Sequence, residues 1–127
     1  MQDEATGAAG DSFGRETAPL IARAIGATMS RRGSNEAAYK AGRIVIKCAG
    51  KDTNSVGVTY RMLEGLDGIV GAFECRDGSF DVPYLPAKVF KEEMTPTRSK
   101  GASAGKVGIV RRQVFARRGE RITIVRA

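Results

Sequence analysis

An apolar run that ends in a lysine constrains the fold of this chain more than any other stretch. Ile44, Val45 and Ile46 are β-branched, and Lys47 follows them directly. β-Branched residues favour strands, and residues 40–43 have the composition of a tight turn. Residues 37–39 and 44–49 therefore predict a β-hairpin whose second strand carries a lysine. A solvated strand end would explain this lysine, and so would a neighbouring phosphate group.

The order of the other predicted elements indicates the fold class. Leu20, Ile21, Ala24 and Ile25 recur at helical spacing and predict a helix over 17–29, with Pro19 in its first turn. A helix over 59–66, a strand over 69–73, a hairpin with a type I′ turn at Asp77-Gly78 and a helix over 87–94 follow. Residues 107–126 predict either two strands or a helix and a strand. We therefore expect an α+β or α/β fold with a mixed central sheet and an N-terminal helix packed on it.

The length of 127 residues suits one domain. The small, acidic residues 1–14 predict a flexible lead, and residues 15–127 predict a single domain whose region 95–127 is basic. The chain begins without the charged start and apolar middle of a signal peptide, and it has no apolar run of about 18 residues. We therefore expect a cytoplasmic protein without a membrane partner.

Residue usage excludes several kinds of active site. The chain has no His, which excludes His-based triads and the usual zinc sites. Its two cysteines are too few for a disulfide scaffold and predict small buried side chains. A metal would be held by carboxylates and carbonyls, which suit Mg²⁺ or Mn²⁺.

Positive charge is concentrated in the last third of the chain. Residues 1–87 hold 10 Lys/Arg against 11 Asp/Glu, whereas residues 88–127 hold 11 against 3, a net charge of +8. Such a basic segment favours a polyanionic partner, most often nucleic acid. A solvated, solubilising tail is the other interpretation.

Three residues could form a site that cleaves phosphodiester bonds. Glu16 begins the predicted first helix, and Glu36 lies on the hairpin arm that faces Lys47. If the helix packs on the sheet, the two carboxylates could hold Mg²⁺, which activates water and neutralises phosphate charge. Lys47 would orient the water or stabilise the transition state.

The stretch NEAAYKAGRIVIKCA, preceded by a helix with a Glu, resembles the PD-(D/E)xK nuclease superfamily, which includes restriction endonucleases. The resemblance covers residues 14–90 and implies a restriction-endonuclease-like core. It also implies that Glu36 and Glu16 bind metal, that Lys47 is the catalytic lysine, and that the protein forms a homodimer.

This chain departs from the superfamily's pattern at two positions. The second motif has Glu, Asp or Gln two residues before its lysine, where this chain has Val45, and Asn35 replaces the Pro before the first acid. Asp52, Glu64 or Asp67 could supply the missing carboxylate. Each member of the triad also has a structural explanation, such as Glu16 complementing the helix dipole.

Three functions remain open from the sequence. The first is a metal-dependent DNA endonuclease or nuclease subunit, and the second is a non-catalytic DNA- or RNA-binding module, with DNA favoured over RNA. The third is a structural subunit whose basic tail docks on RNA or an acidic protein. The predicted phosphate-contacting residues are Arg31, Arg32, Lys51, Arg98, Lys100, Lys106, Arg111, Arg112, Arg117 and Arg118.

Overall fold

A computed structural model describes residues 4–30, 35–96 and 106–122. Its helices are α1 (Glu4–Ile25), α2 (Tyr60–Leu63), α3 (Ala87–Glu93) and α4 (Arg112–Arg118). Its strands are β1 (Thr28–Met29), β2 (Glu36–Tyr39), β3 (Gly42–Ala49), β4 (Ser55–Thr59), β5 (Gly68–Glu74), β6 (Phe80–Asp81), β7 (Pro83–Pro86), β8 (Thr95–Pro96), β9 (Val107–Arg111) and β10 (Glu120–Arg121). No helix in this described part of the chain is both long and apolar enough to cross a membrane.

The strands form two sheets. Sheet A has the order β1-β2-β3-β5-β7-β10, with β6 also paired to β5. Its centre is the parallel pair β3 and β5, and the remaining pairs are antiparallel. Sheet B has the order β4-β9-β8 and is antiparallel throughout. The predicted α+β class, with a mixed sheet and an N-terminal helix packed on it, is confirmed.

One face of sheet A is covered by α1, and we call it the helix face. Successive strand residues point to opposite faces, so Ile44 and Ile46 of β3 lie on the helix face with Val70 of β5. Helix α1 places Ala18, Ile21, Ala22 and Ile25 against them, all 5% exposed or less. Their spacing puts them on a single side of the helix.

The opposite face of sheet A, the cluster face, is covered by sheet B and the three shorter helices. Val45 and Phe73 of sheet A pack there with Val58 of β4, Phe90 of α3 and Phe115 of α4. The ring of Phe115 meets Phe73 edge-on, with centroids 5.3 Å apart. Because these residues come from distant segments, this core forms only when the last third of the chain is in place.

The first helix differs from its prediction. It begins at Glu4, so it includes most of the segment predicted to be a flexible lead, and it ends at Ile25. The ring of Phe13 stacks on Phe80 with centroids 6.3 Å apart, which anchors this part of the helix. Pro19 therefore lies well inside the helix, where it cannot donate the usual backbone hydrogen bond.

One hairpin turn differs from its prediction, whereas the other is the tight turn that the sequence predicted. Asp77-Gly78 does not form the predicted type I′ turn, because only Gly78 has a positive φ, of 86°. The hydroxyl and amide of Ser79 both bond to the carboxylate of Asp77 instead. The β2–β3 hairpin has the two positive φ angles of a type I′ turn, at Lys40 (48°) and Ala41 (63°).

Candidate nucleic-acid interface

Glu36 and Lys47 lie on the same face of sheet A. Glu36 pairs directly with Val45 across the β2–β3 hairpin, and Lys47 is two residues further along β3. The Cα atoms of diagonal neighbours of this kind are about 7–8 Å apart. The hairpin therefore brings together two of the three residues predicted to form the cleavage site, both on the cluster face.

The residue between them is part of the core. Val45 is fully buried, at 0% exposure, among the apolar side chains of the cluster face. A carboxylate at this position would lose its hydration without gaining a partner, which is strongly unfavourable. The local packing explains why Val suits this position and an acid does not.

The carboxylate of Glu36 already has a cationic partner. The Nη2 atom of Arg43 donates to Oε1 of Glu36 at 2.7 Å, and Glu36 is only 18% exposed. Arg43 is on the same strand and the same face as Val45, so this ion pair runs across the hairpin. Glu36 would have to release Arg43 to bind a metal.

The proposed substitutes for the missing acid are placed elsewhere. Asp67 holds the backbone of Arg43, because its Oδ2 accepts from the Arg43 amide at 2.8 Å and its own amide donates to the Arg43 carbonyl. Asp52 is exposed in the loop after β3, and Glu64 is exposed at the end of α2. Asp67 thus fixes the beginning of β3.

The structure does not bring Glu16 to Glu36. Successive helix residues are rotated by about 100°, so Glu16 projects about 200° from Ala18, which faces the sheet. Glu16 is accordingly exposed on the outer side of α1, which covers the helix face. The helix and the sheet both lie between it and the cluster face.

The predicted magnesium site stays a prediction, and its two proposed ligands have different surroundings. Within the described ranges, no group of three or more His, Cys, Asp or Glu side chains is placed to hold a metal ion. Of the two predicted ligands, one is engaged by Arg43 and the other is on the far side of α1.

Lys47 is half-buried and influences the neighbouring thiol. Burial raises the pKa of Cys48 from 9.0 to about 11, and the positive charge of Lys47 opposes this shift. Cys48 points to the helix face, where it packs at the edge of the α1 core. It is therefore a protonated, structural cysteine. Both Cys48 and Cys75 are only partly buried, whereas the sequence predicted buried side chains.

Three of the predicted phosphate-contacting arginines form ion pairs within the chain. Arg117 lies 3.4 Å from Glu93, and Arg118 lies 3.0 Å from Glu92, so α4 is tied to α3. Arg112 lies 3.6 Å from Asp81. These pairs are partly exposed and contribute little to stability individually, but they reduce the charge available to a ligand.

Arg112 has several partners that fix its position. Its guanidinium lies 5.4 Å from the centre of the Phe73 ring and donates to Sγ of Cys75 at 3.5 Å. Asp81, its ionic partner, also binds Arg121 at 3.3 Å. The Arg112 side chain is therefore half-buried and packs against a core residue.

The remaining predicted cations are divided between exposed positions and undescribed ones. Lys51, Lys106 and Arg111 are exposed. Lys51 follows the end of β3, whereas Lys106 and Arg111 are at opposite ends of β9. Arg31, Arg32, Arg98 and Lys100 lie outside the described residues.

A groove of about 530 Å³ opens beside Arg111, and we call it the arginine groove. It is lined by Asn54, Ser55, Arg111, Arg112, Gln113 and Ala116, none of which is acidic. The β4–β9 pairing places Ser55 opposite Arg111, and the Arg112 amide donates to the Asn54 carbonyl at 2.7 Å. Arg112 reaches Phe73 near the end of β5, so the groove lies toward the carboxyl ends of the parallel strands.

Sequence reasoning missed the polar half of this groove. Asn54, Ser55 and Gln113 offer amide and hydroxyl groups that bind phosphate oxygens. Their proximity to Arg111 depends on the pairing of β4 with β9, which are far apart in the sequence. The basic pair Arg111-Arg112 was the part of this site that composition could identify.

Comparison with known proteins adds no family assignment. No protein-family model matches the chain, and no curated protein matches it. The resemblance to PD-(D/E)xK nucleases therefore stays a prediction based on the residues quoted above.

Proposed function

We propose that this protein binds nucleic acid through its phosphates and does not cut it. The observation that carries this proposal is the arginine groove, where the exposed Arg111 lies among three uncharged polar side chains and no lining residue is acidic. Arg112 also lines the groove, although Asp81 holds part of its charge. The net charge of +7 adds a general attraction for polyanions. DNA is the favoured partner, because the resemblance in the β2–β3 hairpin is to DNA-cleaving enzymes.

The arrangement of the hairpin supports binding without cleavage. Val45 is buried, Glu36 is paired with Arg43, and Glu16 lies on the outer side of α1. Phosphate binding needs none of these three residues, whereas the predicted hydrolysis needs two carboxylates at one point.

Charge reversal in the groove tests the proposal. We expect Arg111→Glu to weaken binding to a duplex about tenfold or more at low salt, measured by fluorescence anisotropy. The slope of log Kd against log salt concentration should fall by about 0.9 for each phosphate that the variant no longer neutralises. Lys91→Glu on α3 is the matched control, because it changes the charge equally at another exposed position.

Either of two results would contradict the proposal. One is a wild-type protein that does not retain DNA or RNA even at about 50 mM salt, where phosphate binding is strong. The other is an equal drop in affinity for Arg111→Glu and Lys91→Glu, which would indicate a diffuse charge effect without a groove.

A metal-dependent endonuclease is the second candidate, and one observation favours it. Glu36 and Lys47 share the cluster face as diagonal neighbours, which is the placement that the nuclease resemblance requires. Nicking of a supercoiled plasmid with Mg²⁺ or Mn²⁺ distinguishes the candidates. Cleavage by the wild type that disappears in Lys47→Ala, but persists in Lys51→Ala, would establish the nuclease. Gel filtration of the same samples tests the predicted homodimer.

A further inference from the structure

A second cavity, of about 670 Å³, lies at the other end of the parallel strands from the arginine groove. It is lined by Ile25 at the end of α1, the β2–β3 turn from Tyr39 to Gly42, Asp67, Tyr84, and residues 120–122. We call it the tyrosine pocket. Its size is within the range of pockets that bind small organic groups.

Gly68 leaves the space that the Tyr84 ring occupies, and Gly42 leaves space for the Asp67 side chain. A Cβ atom at Gly68 would collide with the ring of Tyr84, and one at Gly42 would lie 3.2 Å from the carboxylate of Asp67. Tyr84 thus lies directly over the backbone of β5.

The tyrosines form an aromatic wall with a polar end. The rings of Tyr39 and Tyr84 are 6.2 Å apart and tilted by 38°. The hydroxyl of Tyr84 donates to the carbonyl of Asp67 at 3.3 Å. Burial, and then the negative charge of Asp67, raise the pKa of Tyr84, so this hydroxyl remains a donor at neutral pH.

Charges of both signs border the pocket, and one of them, Arg121, is also paired with Asp81. Lys40 lies 5.4 Å from the centre of the Tyr39 ring, and Arg121 is also at the pocket. Asp67 and Glu120 supply two carboxylates. A cationic ligand would meet Lys40 already on the tyrosine, and an anionic ligand would meet the carboxylates. The pocket therefore suits a neutral, planar group with hydrogen-bonding edges.

The turn beside the pocket is strained. Lys40 and Ala41 both have left-handed backbone conformations, which favour Gly or Asn. A glycine at position 40 would relieve strain but remove the cation above Tyr39. Strain of this kind is concentrated at functional sites, where a side chain is needed in spite of the backbone.

We propose that the tyrosine pocket binds a nucleobase turned out of a nucleic-acid strand, with its ring on the tyrosines and its amino edge at Asp67. Bases stack on aromatic side chains, and a carboxylate accepts from an exocyclic amino group such as that of cytosine. The inference rests on the proposed nucleic-acid function. It adds a base-binding site to the phosphate site at the opposite end of the sheet.

The first test uses a duplex with one unpaired cytosine, compared with the same duplex carrying an abasic residue there. We expect the wild type to bind the cytosine duplex about 5- to 150-fold more tightly, the range that corresponds to one stacked base. Tyr39→Leu should abolish this difference without changing affinity for a fully paired duplex. Tyr60→Leu, which changes a tyrosine on the cluster face, should retain it.

Equal affinity of the wild type for the cytosine and abasic duplexes would overturn the base site and leave the phosphate site intact. A second measurement tests the pocket without phosphates. Cytidine added to the wild type should shift the NMR signals of the Tyr39 and Tyr84 rings, whereas ribose should not, and Tyr60 should stay fixed. Unshifted Tyr39 and Tyr84 signals at millimolar cytidine would also overturn the proposal, whatever the outcome with DNA.

Discussion

The two faces of sheet A are closed by different kinds of layer. On the helix face, a single helix covers small and aliphatic side chains of the sheet such as Ile46 and Ala72. On the cluster face, three phenylalanine rings from β5, α3 and α4 meet edge-on. The first layer is a single helix, whereas the second is built from several strands and short helices. We expect the cluster face to dominate stability.

The largest expected effect comes from removing a central ring of the cluster face. Phe115 is 1% exposed and contacts both Phe73 and Phe90. Phe115→Ala should lower the free energy of unfolding by about 3–5 kcal/mol, because it leaves a large cavity. Urea denaturation measures this change.

Phe13 provides the matched substitution on the helix face. It is half-buried and stacks on Phe80, so Phe13→Ala should lower the free energy of unfolding by about 1 kcal/mol. Equal decreases for Phe13→Ala and Phe115→Ala would break the proposed difference between the faces.

The next prediction concerns how stability depends on pH through Cys48, which packs on the helix face. The folded state raises the pKa of Cys48 to about 11, so it keeps this proton between pH 9 and 11 while the unfolded state loses it. Stability should therefore fall as pH rises through this window, by about 2 kcal/mol at pH 10.5. Cys48→Ala should lose less stability between pH 8 and 10.5 than the wild type, and an equal loss in both proteins would contradict this prediction.

Replacing Pro19 tests how much α1 contributes to the stability of the fold. Proline in a helix interior is about 3 kcal/mol less favourable than alanine, although it also restricts the unfolded chain. Pro19→Ala should raise the free energy of unfolding by about 1–2 kcal/mol, measured in urea. Leu20→Ala is the control, because Leu20 is 64% exposed and its removal should change stability by less than about 0.5 kcal/mol. A decrease of stability in Pro19→Ala would show that the helix needs its proline.

The smallest expected changes in stability come from the β2–β3 turn and from the turn at Gly78. Ala41→Gly should raise the free energy of unfolding by about 0.5–1 kcal/mol, because glycine accepts the left-handed conformation without strain. Gly78→Ala should lower it by a similar amount for the same reason. Thermal denaturation of both variants tests these two predictions. A shift of the melting temperature in the same direction for Ala41→Gly and Gly78→Ala would contradict them.

The sequence predicted the local elements of this fold better than their ends. The hairpin at residues 37–49, the helix beginning after Thr59 and the helix after Pro86 are all present. Thr59 accepts from the Met62 amide at 3.2 Å, as expected of a helix cap. Each of these signals is contained within a few residues, so no tertiary contact was needed to interpret it.

The errors arose where tertiary contacts outweigh local preference. The start of α1 is rich in glycine, and its anchor is the contact of Phe13 with Phe80. The arginine groove depends on the β4–β9 pairing, and the tyrosine pocket depends on β7 and the β2–β3 turn. No short sequence pattern indicates such long-range neighbours.

The pairing of β4 with β9 also has a kinetic consequence. The β2–β3 hairpin can close in microseconds, because its partners are adjacent in the chain. Sheet B must wait until residues near 110 meet residues near 56, a slow search across much of the chain. During synthesis, β4 leaves the ribosome long before its partner exists, so the edge that later shapes the arginine groove is first exposed as a site for aggregation.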